Sequence, residues 1–186
     1  MSFKDEINKY IPINNLEDND KSAILKLINK YGDRILFREN EECHMTVSAW
    51  ITNFDHTKVL LNFHNLYNNW GWLGGHADGC DDPISVIIKE IKEESGLTNI
   101  KLISDEIASI EILPVFEHYK KNKYVPRHLH LNITYLFEAN EDDPLYINKE
   151  ENSGLKWVYI DDVVNMTNEE HMKPIYIKLN NRIKWK

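Results

Sequence analysis

The chain has little of several things that would assign it to a special class. Two cysteines among 186 residues, Cys43 and Cys80, make no disulfide framework and match no metal-binding spacing. Seven glycines and six prolines are dispersed, so there is no linker, no collagen-like tract and no low-complexity segment. No run approaches the roughly 18–20 apolar residues that span a bilayer. The opening MSFKDEINKY lacks the apolar stretch of a secretory signal. These absences predict a cytoplasmic protein with two ordinary thiols. Positive charge is also short: 22 Lys and Arg against 30 Asp and Glu leave a net charge of −8. A balance this acidic argues against sequence-independent nucleic-acid binding and against an anionic membrane surface as partner.

What is present suits one domain with an appendage. Hydrophobic residues make up 42% of the chain, enough for a core. Residues 1–38 read as a helical extension packed on a domain over 39–186. Asn15 or Asp20 is the expected cap of a helix carrying Ile24, Leu25, Leu27 and Ile28, and Gly32 its stop. From His44 the period changes. Strands are expected at His44–Asn53, Lys58–His64, Asn68–Leu73, Leu97–Ile103, Ile107–Tyr119, His128–Ala139 and Leu155–Ile160. A helix is expected over Pro83–Ser95, with Pro83 in its first turn and Gly96 just past its end. A short helix follows Asp161, and a last one covers about Glu169–Lys184, with Pro174 as a kink. Interleaved this way, the elements predict an α/β fold with a mixed sheet.

The central helix carries an unusual load. Ile84, Ile87, Ile88 and Ile91 form one apolar stripe, while Glu90, Glu93 and Glu94 share a neighbouring face at i, i+3 and i+4. Three carboxylates this close repel, and two of them sit at the helix end whose dipole disfavours anions. Residues 74–97 carry a local charge of −4. Helix geometry alone leaves two readings open, a solvated face or a site for hard divalent cations.

The flanking residues add to this. Gly74 and Gly75 follow a strand and Gly96 closes the helix. In this stretch the chain resembles the Nudix hydrolase family, whose box reads Gly-x5-Glu-x7-Arg-Glu-U-x-Glu-Glu-x-Gly-U, U being aliphatic. Gly75, Glu90, Ile91, Glu93, Glu94, Gly96 and Leu97 match in register, whereas Asp81 stands for the glutamate and Lys89 for the arginine. The resemblance implies an α/β/α sandwich around a mixed sheet. It also implies hydrolysis of the pyrophosphate linkage of a nucleoside diphosphate derivative, with Mg²⁺ or Mn²⁺. Carried over by residue, Glu90, Glu93 and Glu94 are expected as metal ligands and catalytic groups, with the Gly74 carbonyl as a further ligand. The general base is expected at Glu151, with Glu150 and Glu90 as alternatives. Lys89 supplies charge where the family's arginine orients a glutamate, but not a bidentate fork.

Residues outside the glutamate helix complete the expected site. His76 is a candidate phosphate or metal contact. On the strand from Arg127, His128, His130 and Asn132 share one face, and Arg127, His128 and His130 are candidate substrate contacts. Trp50, Trp70, Trp72 and Phe116 are candidates to stack on a base. The expected partner is a nucleotide or other diphosphate small molecule, and a homodimer is compatible with the sequence. Two other functions fit the same features. One is an enzyme like isopentenyl diphosphate isomerase, which carries a Gly-His pair where this chain has Gly75-His76. The other is a nucleotide-sensing module without catalysis. Pro114 and Tyr119 lie near, but off, the positions that sort substrates within the family.

Overall fold

Strand β1 (Cys43–Thr52) is buried at all ten positions, which requires covering layers on both of its faces. The computed structural model describes residues 1–120 and 122–184, so the last two residues of the expected 39–186 domain lie outside the described residues. The remaining strands are β2 (Lys58–His64), β3 (Asn69–Gly71), β4 (Leu73–His76), β5 (Ile100–Leu102), β6 (Ser109–Val115), β7 (His118–Lys120), β8 (Lys123–Val125), β9 (His128–Ala139) and β10 (Asn152–Tyr159). Eight of them form a mixed sheet of order β10-β2-β1-β9-β5, with β3 on β2, β4 on β1 and β6 on β9. β1 and β9 run parallel in register over Cys43↔Leu129 to Thr52↔Glu138.

Each long strand forks at its outer edge. β1 meets β2 near Thr52 but β4 over Thr46–Ala49. β9 meets β5 near Ala139 but β6 over His128–Thr134. The fork between β2 and β4 opens a cleft over the sheet. It also explains why one expected strand, Asn68–Leu73, is two. The chain leaves β2 after Gly71, and from Leu73 it pairs with β1 instead. The expected strand Ile107–Tyr119 is likewise divided, into β6 and the first arm of a separate β7–β8 hairpin.

Alternation along β1 separates two cores. Met45, Val47, Ala49 and Ile51 pack with β9 and with the helices of the chain's first 36 residues, α1 (Phe3–Lys9), α2 (Asn15–Tyr31) and a 3₁₀ turn (Gly32–Leu36), and with α3 (Pro83–Ser95). On the other face Trp50 packs with Tyr176, Leu179 and Ile183 of α5 (Lys173–Ile183). A short α4 (Val163–Met166) precedes α5. The N-terminal helices are thus part of the main core, through Phe3, Ile7, Ile24 and Ile28. The cap of α2 is Asn14, one residue before the expected Asn15; its side chain accepts the Glu17 N–H at 2.9 Å. Pro174 lies in the first turn of α5 rather than at a kink, where its missing N–H costs nothing. Among the described residues, no helix is long and apolar enough to cross a membrane.

Candidate active site

Helix α3 runs as expected from Pro83 to a left-handed Gly96 cap, but its buried stripe differs from the aliphatic pattern. Ile88 faces outward, and Glu90 and Glu94 go inward beside Ile87 and Ile91. The two carboxylates are therefore set into the fold, while Glu93 stays half exposed and pairs with Lys89 at 3.2 Å. Lys89 also reaches Glu90 at 3.5 Å.

β4 holds these acids by its backbone. The Gly74 N–H donates to Glu94 Oε2 at 2.9 Å, and Asn62 Nδ2 on β2 donates to Oε1 at 3.2 Å. A Cβ on Gly75 would lie 2.3 Å from the Glu90 carboxylate, so a larger residue there would displace that carboxylate from its present place. Asn152 Nδ2, at the start of β10, donates to the Glu94 carbonyl. Glu151 beside it adds negative potential to Glu90 and Glu94.

Burial pushes the Glu94 carboxyl up to about 8, against the Gly74 and Asn62 hydrogen bonds and reinforced by the charges of Glu90 and Glu151. Burial raises Glu90 as well, with Lys89 opposing. Buried oxygen donors that repel one another fit a hard divalent cation, so the residues present suit Mg²⁺ or Mn²⁺.

The metal-free protein thus keeps on Glu94 a proton that the unfolded chain releases near 4.5. Between those values the folded state binds more protons, so this group makes stability fall as pH rises. The lowered histidines act in the opposite sense, but only below their ordinary 6.5. From pH 6.5 to 8 the EDTA-treated chain is expected to lose about 1–2 kcal/mol in urea unfolding. Glu94→Gln is expected to be flat by comparison. Equal slopes in the two proteins would show that Glu94 holds no such proton.

The cleft beside Glu94 is lined by Trp70, Trp72 and Tyr176 on its apolar wall, by Leu113–Val115 opposite, and by Gly74–His76, His130 and Asn132 at its floor. Asn132 Oδ1 accepts from Thr46 and Ser48 Oγ at 3.1 and 2.9 Å, which locks that floor. Trp50 is fully buried against Tyr176 and does not line the cleft. Phe116 is exposed beneath the Arg127 guanidinium. Arg127 pairs with Glu117 and lines neither this cleft nor the histidine pocket beyond it. His128 lines that second pocket, its Nδ1 beside the Pro126 carbonyl at 2.8 Å.

Three site residues escape sequence reasoning. Arg38 forks onto Asp78 at 2.5 and 2.6 Å and lends positive charge toward Glu90 and Glu151. Asn62 is the polar interruption in the apolar strand β2. His44 pairs in register with His130; its place on the even face of β1 was the available signal. Asp81, where the box has glutamate, accepts the Phe3 N–H at 3.0 Å and so ties α1 to the loop before α3.

Comparison with known proteins agrees with this architecture. A family model described as the NUDIX domain matches residues 43–179. A NUDIX-family hydrolase from Clostridium perfringens superposes with a TM-score of 0.57 at 25% identity, covering 76% of this chain and 97% of that one. An Ap4A hydrolase from C. elegans, solved as a binary complex, gives a TM-score of 0.57 at 19% identity, over 76% and 98%. A MutT protein from Methanosarcina mazei Go1 gives 0.54 at 17%, over 78% and 98%. No curated protein matches the chain.

Proposed function

The chain belongs to the NUDIX family, and from that premise we propose that it is a divalent-metal-dependent pyrophosphohydrolase acting on a nucleoside diphosphate derivative in the cytoplasm. The observation that carries the reading is the buried pair Glu90 and Glu94, of which Glu94 is held by the Gly74 N–H and lines a cleft with an aromatic wall. A polyphosphate and this acid cluster are both anionic, so they meet only across cations. Glu90, Glu93, Glu94 and the Gly74 carbonyl are the groups to hold them. When bound, Mg²⁺ or Mn²⁺ neutralises phosphoryl oxygens and lowers the pKa of a water molecule.

The protein's own groups do the rest. Glu151, next to Glu90 and Glu94 in potential, is the proposed base that takes the proton from the attacking water. Trp70 and Trp72, on the cleft wall, offer aromatic surface to a base. Lys89 keeps Glu90 and Glu93 apart and oriented. His76 and His130, at the cleft floor, contact the substrate's far phosphate or its leaving group. His128 lies further along the same strand, in the pocket that a longer substrate would reach, whereas Arg127, paired with Glu117, lines neither pocket.

The test is product release from a panel that includes a dinucleoside polyphosphate, nucleoside triphosphates and nucleoside diphosphate sugars, with Mg²⁺, Mn²⁺ or EDTA. Metal-dependent cleavage between phosphates of one panel member is expected. Nucleotide binding without cleavage would replace the hydrolase with a sensing module. Isomerisation of an isoprenoid diphosphate without hydrolysis would replace it with an isomerase.

A further inference from the structure

The carboxylate chemistry makes no use of His44, and substrate contact by His76 and His130 does not account for a third buried ring packed against both. The rings of His44, His76, His128 and His130 come together where β1, β4 and β9 lie side by side: His44 and His130 each meet the other three, with centroids 4.8–5.2 Å apart. We infer that His44, His76 and His130 form a second metal site, for a borderline transition-metal ion of the Zn²⁺ class.

One ring nitrogen from each of the three lies within 4.8 Å of the others. His76 Nε2 and His130 Nε2 are 3.1 Å apart. An ion bound at about 2.0–2.1 Å in tetrahedral geometry sets its ligand nitrogens roughly 3.4 Å apart. The pair is already at that spacing, and His44 needs only a side-chain adjustment to join it.

His44 supplies an independent observation. It is 4% exposed, and its Nε2 has no hydrogen-bond partner among the described residues. Its Nδ1 lies 3.2 Å from the Asn40 carbonyl. A backbone carbonyl on Nδ1 fixes the ring with its Nε2 lone pair free, the arrangement that orients metal-bound histidines. A buried nitrogen without a partner is otherwise costly, and a metal ion satisfies it.

Donor chemistry separates this site from the glutamates. Three imidazoles suit Zn²⁺ and its neighbours in the first transition row, whereas carboxylates suit Mg²⁺ and Mn²⁺. Three protein ligands leave a fourth position open. His76 and His130 line both the cleft and the pocket beyond it, so that open position faces the path between them. The triad draws on no residue of α3, so it is tested separately from the glutamate site; it shares only His76 and His130 with the proposed substrate contacts, and with an ion bound they would act on the substrate through it.

The experiment uses the full chain stripped with EDTA and titrated with ZnCl₂ against a competing chelator, with Mg²⁺ in excess. One Zn²⁺ per chain is expected to remain bound. His44→Gln and His130→Gln are each expected to weaken it by about 100-fold or more, and Glu94→Gln to leave it within a few-fold. Zinc-edge X-ray absorption on the wild-type protein is expected to show scattering from three imidazole rings. This readout decides the matter even if a histidine variant fails to fold. No stoichiometric binding under excess Mg²⁺, or an oxygen-only shell, would overturn the site and leave His76 and His130 as a plain N–H···N pair. So would loss of Zn²⁺ in Glu94→Gln with retention in His44→Gln.

Discussion

Glu94→Gln is expected to lose about 10²–10³-fold in kcat/KM while its melting temperature holds or rises. The two halves of this result come from one fact. Glu94 is 3% exposed, and burying its charge is unfavourable, as the raised carboxyl shows. A neutral amide removes that cost. It keeps an oxygen for the Gly74 N–H and nearly the same volume, so the packing of α3 against β4 survives. What it removes is the negative charge that a divalent ion requires. Metal titrations of the variant should reach saturation poorly or not at all. A variant with near-normal turnover at saturating Mg²⁺ would remove Glu94 from the set of metal-holding groups.

Lys178→Met is expected to cost about 3–5 kcal/mol of stability, a fall of roughly 6–20 °C in melting temperature. Lys178 is 14% exposed, and its ammonium bridges Glu17 at 2.6 Å and Glu111 at 2.7 Å. Both carboxylates are buried, and burial raises Glu111 even with the lysine present. Methionine has a similar shape but leaves the two acids facing each other. Arg182, 3.9 Å from Glu17, is too distant to replace the lysine. The double variant Lys178→Met/Glu111→Gln should recover part of the loss, since it removes one uncompensated charge. A cost below about 1 kcal/mol would mean that water reaches the cluster. The effect should extend to the cleft, because Glu111 Oε2 lies 3.5 Å from Asn132 Nδ2, and Asn132 locks the floor.

The features legible in the sequence are those set by local chemistry. Pro83 and Gly96 bound α3 because their backbone preferences operate within a turn. The glutamate spacing identified the site because helix periodicity places i, i+3 and i+4 together. The alternation of His128, His130 and Asn132 put them on one face, and β9 keeps them there. Illegible features needed a partner distant in the chain. Ile88 faces out and Glu90 in because Gly74 and Gly75 offer N–H donation and space that no aliphatic pattern encodes. Trp72 separates two strands because the chain changes neighbours there. Arg38 meets Asp78 across 40 positions, and the aspartate in place of the box glutamate anchors an N-terminal helix. None of these pairs has a signal in either residue alone.

The parallel register of β1 and β9 imposes an order on biogenesis. Thr46 reaches its partner Asn132 across 86 positions. At about 5–20 residues per second, a ribosome makes that stretch in roughly 4–17 s. Within that interval β2 and β4 are made and become available on one edge of β1, while the other edge has nothing until β9 is complete. The apolar half of its pattern is then open to unwanted partners, as happens with slow, non-local pairings. The cleft floor and the histidine cluster both lie across this seam, so neither exists until β9 has docked. Occupancy of the histidine cluster therefore reports the docking of β9, and agents that slow release of the nascent chain should delay it more than they delay helix formation.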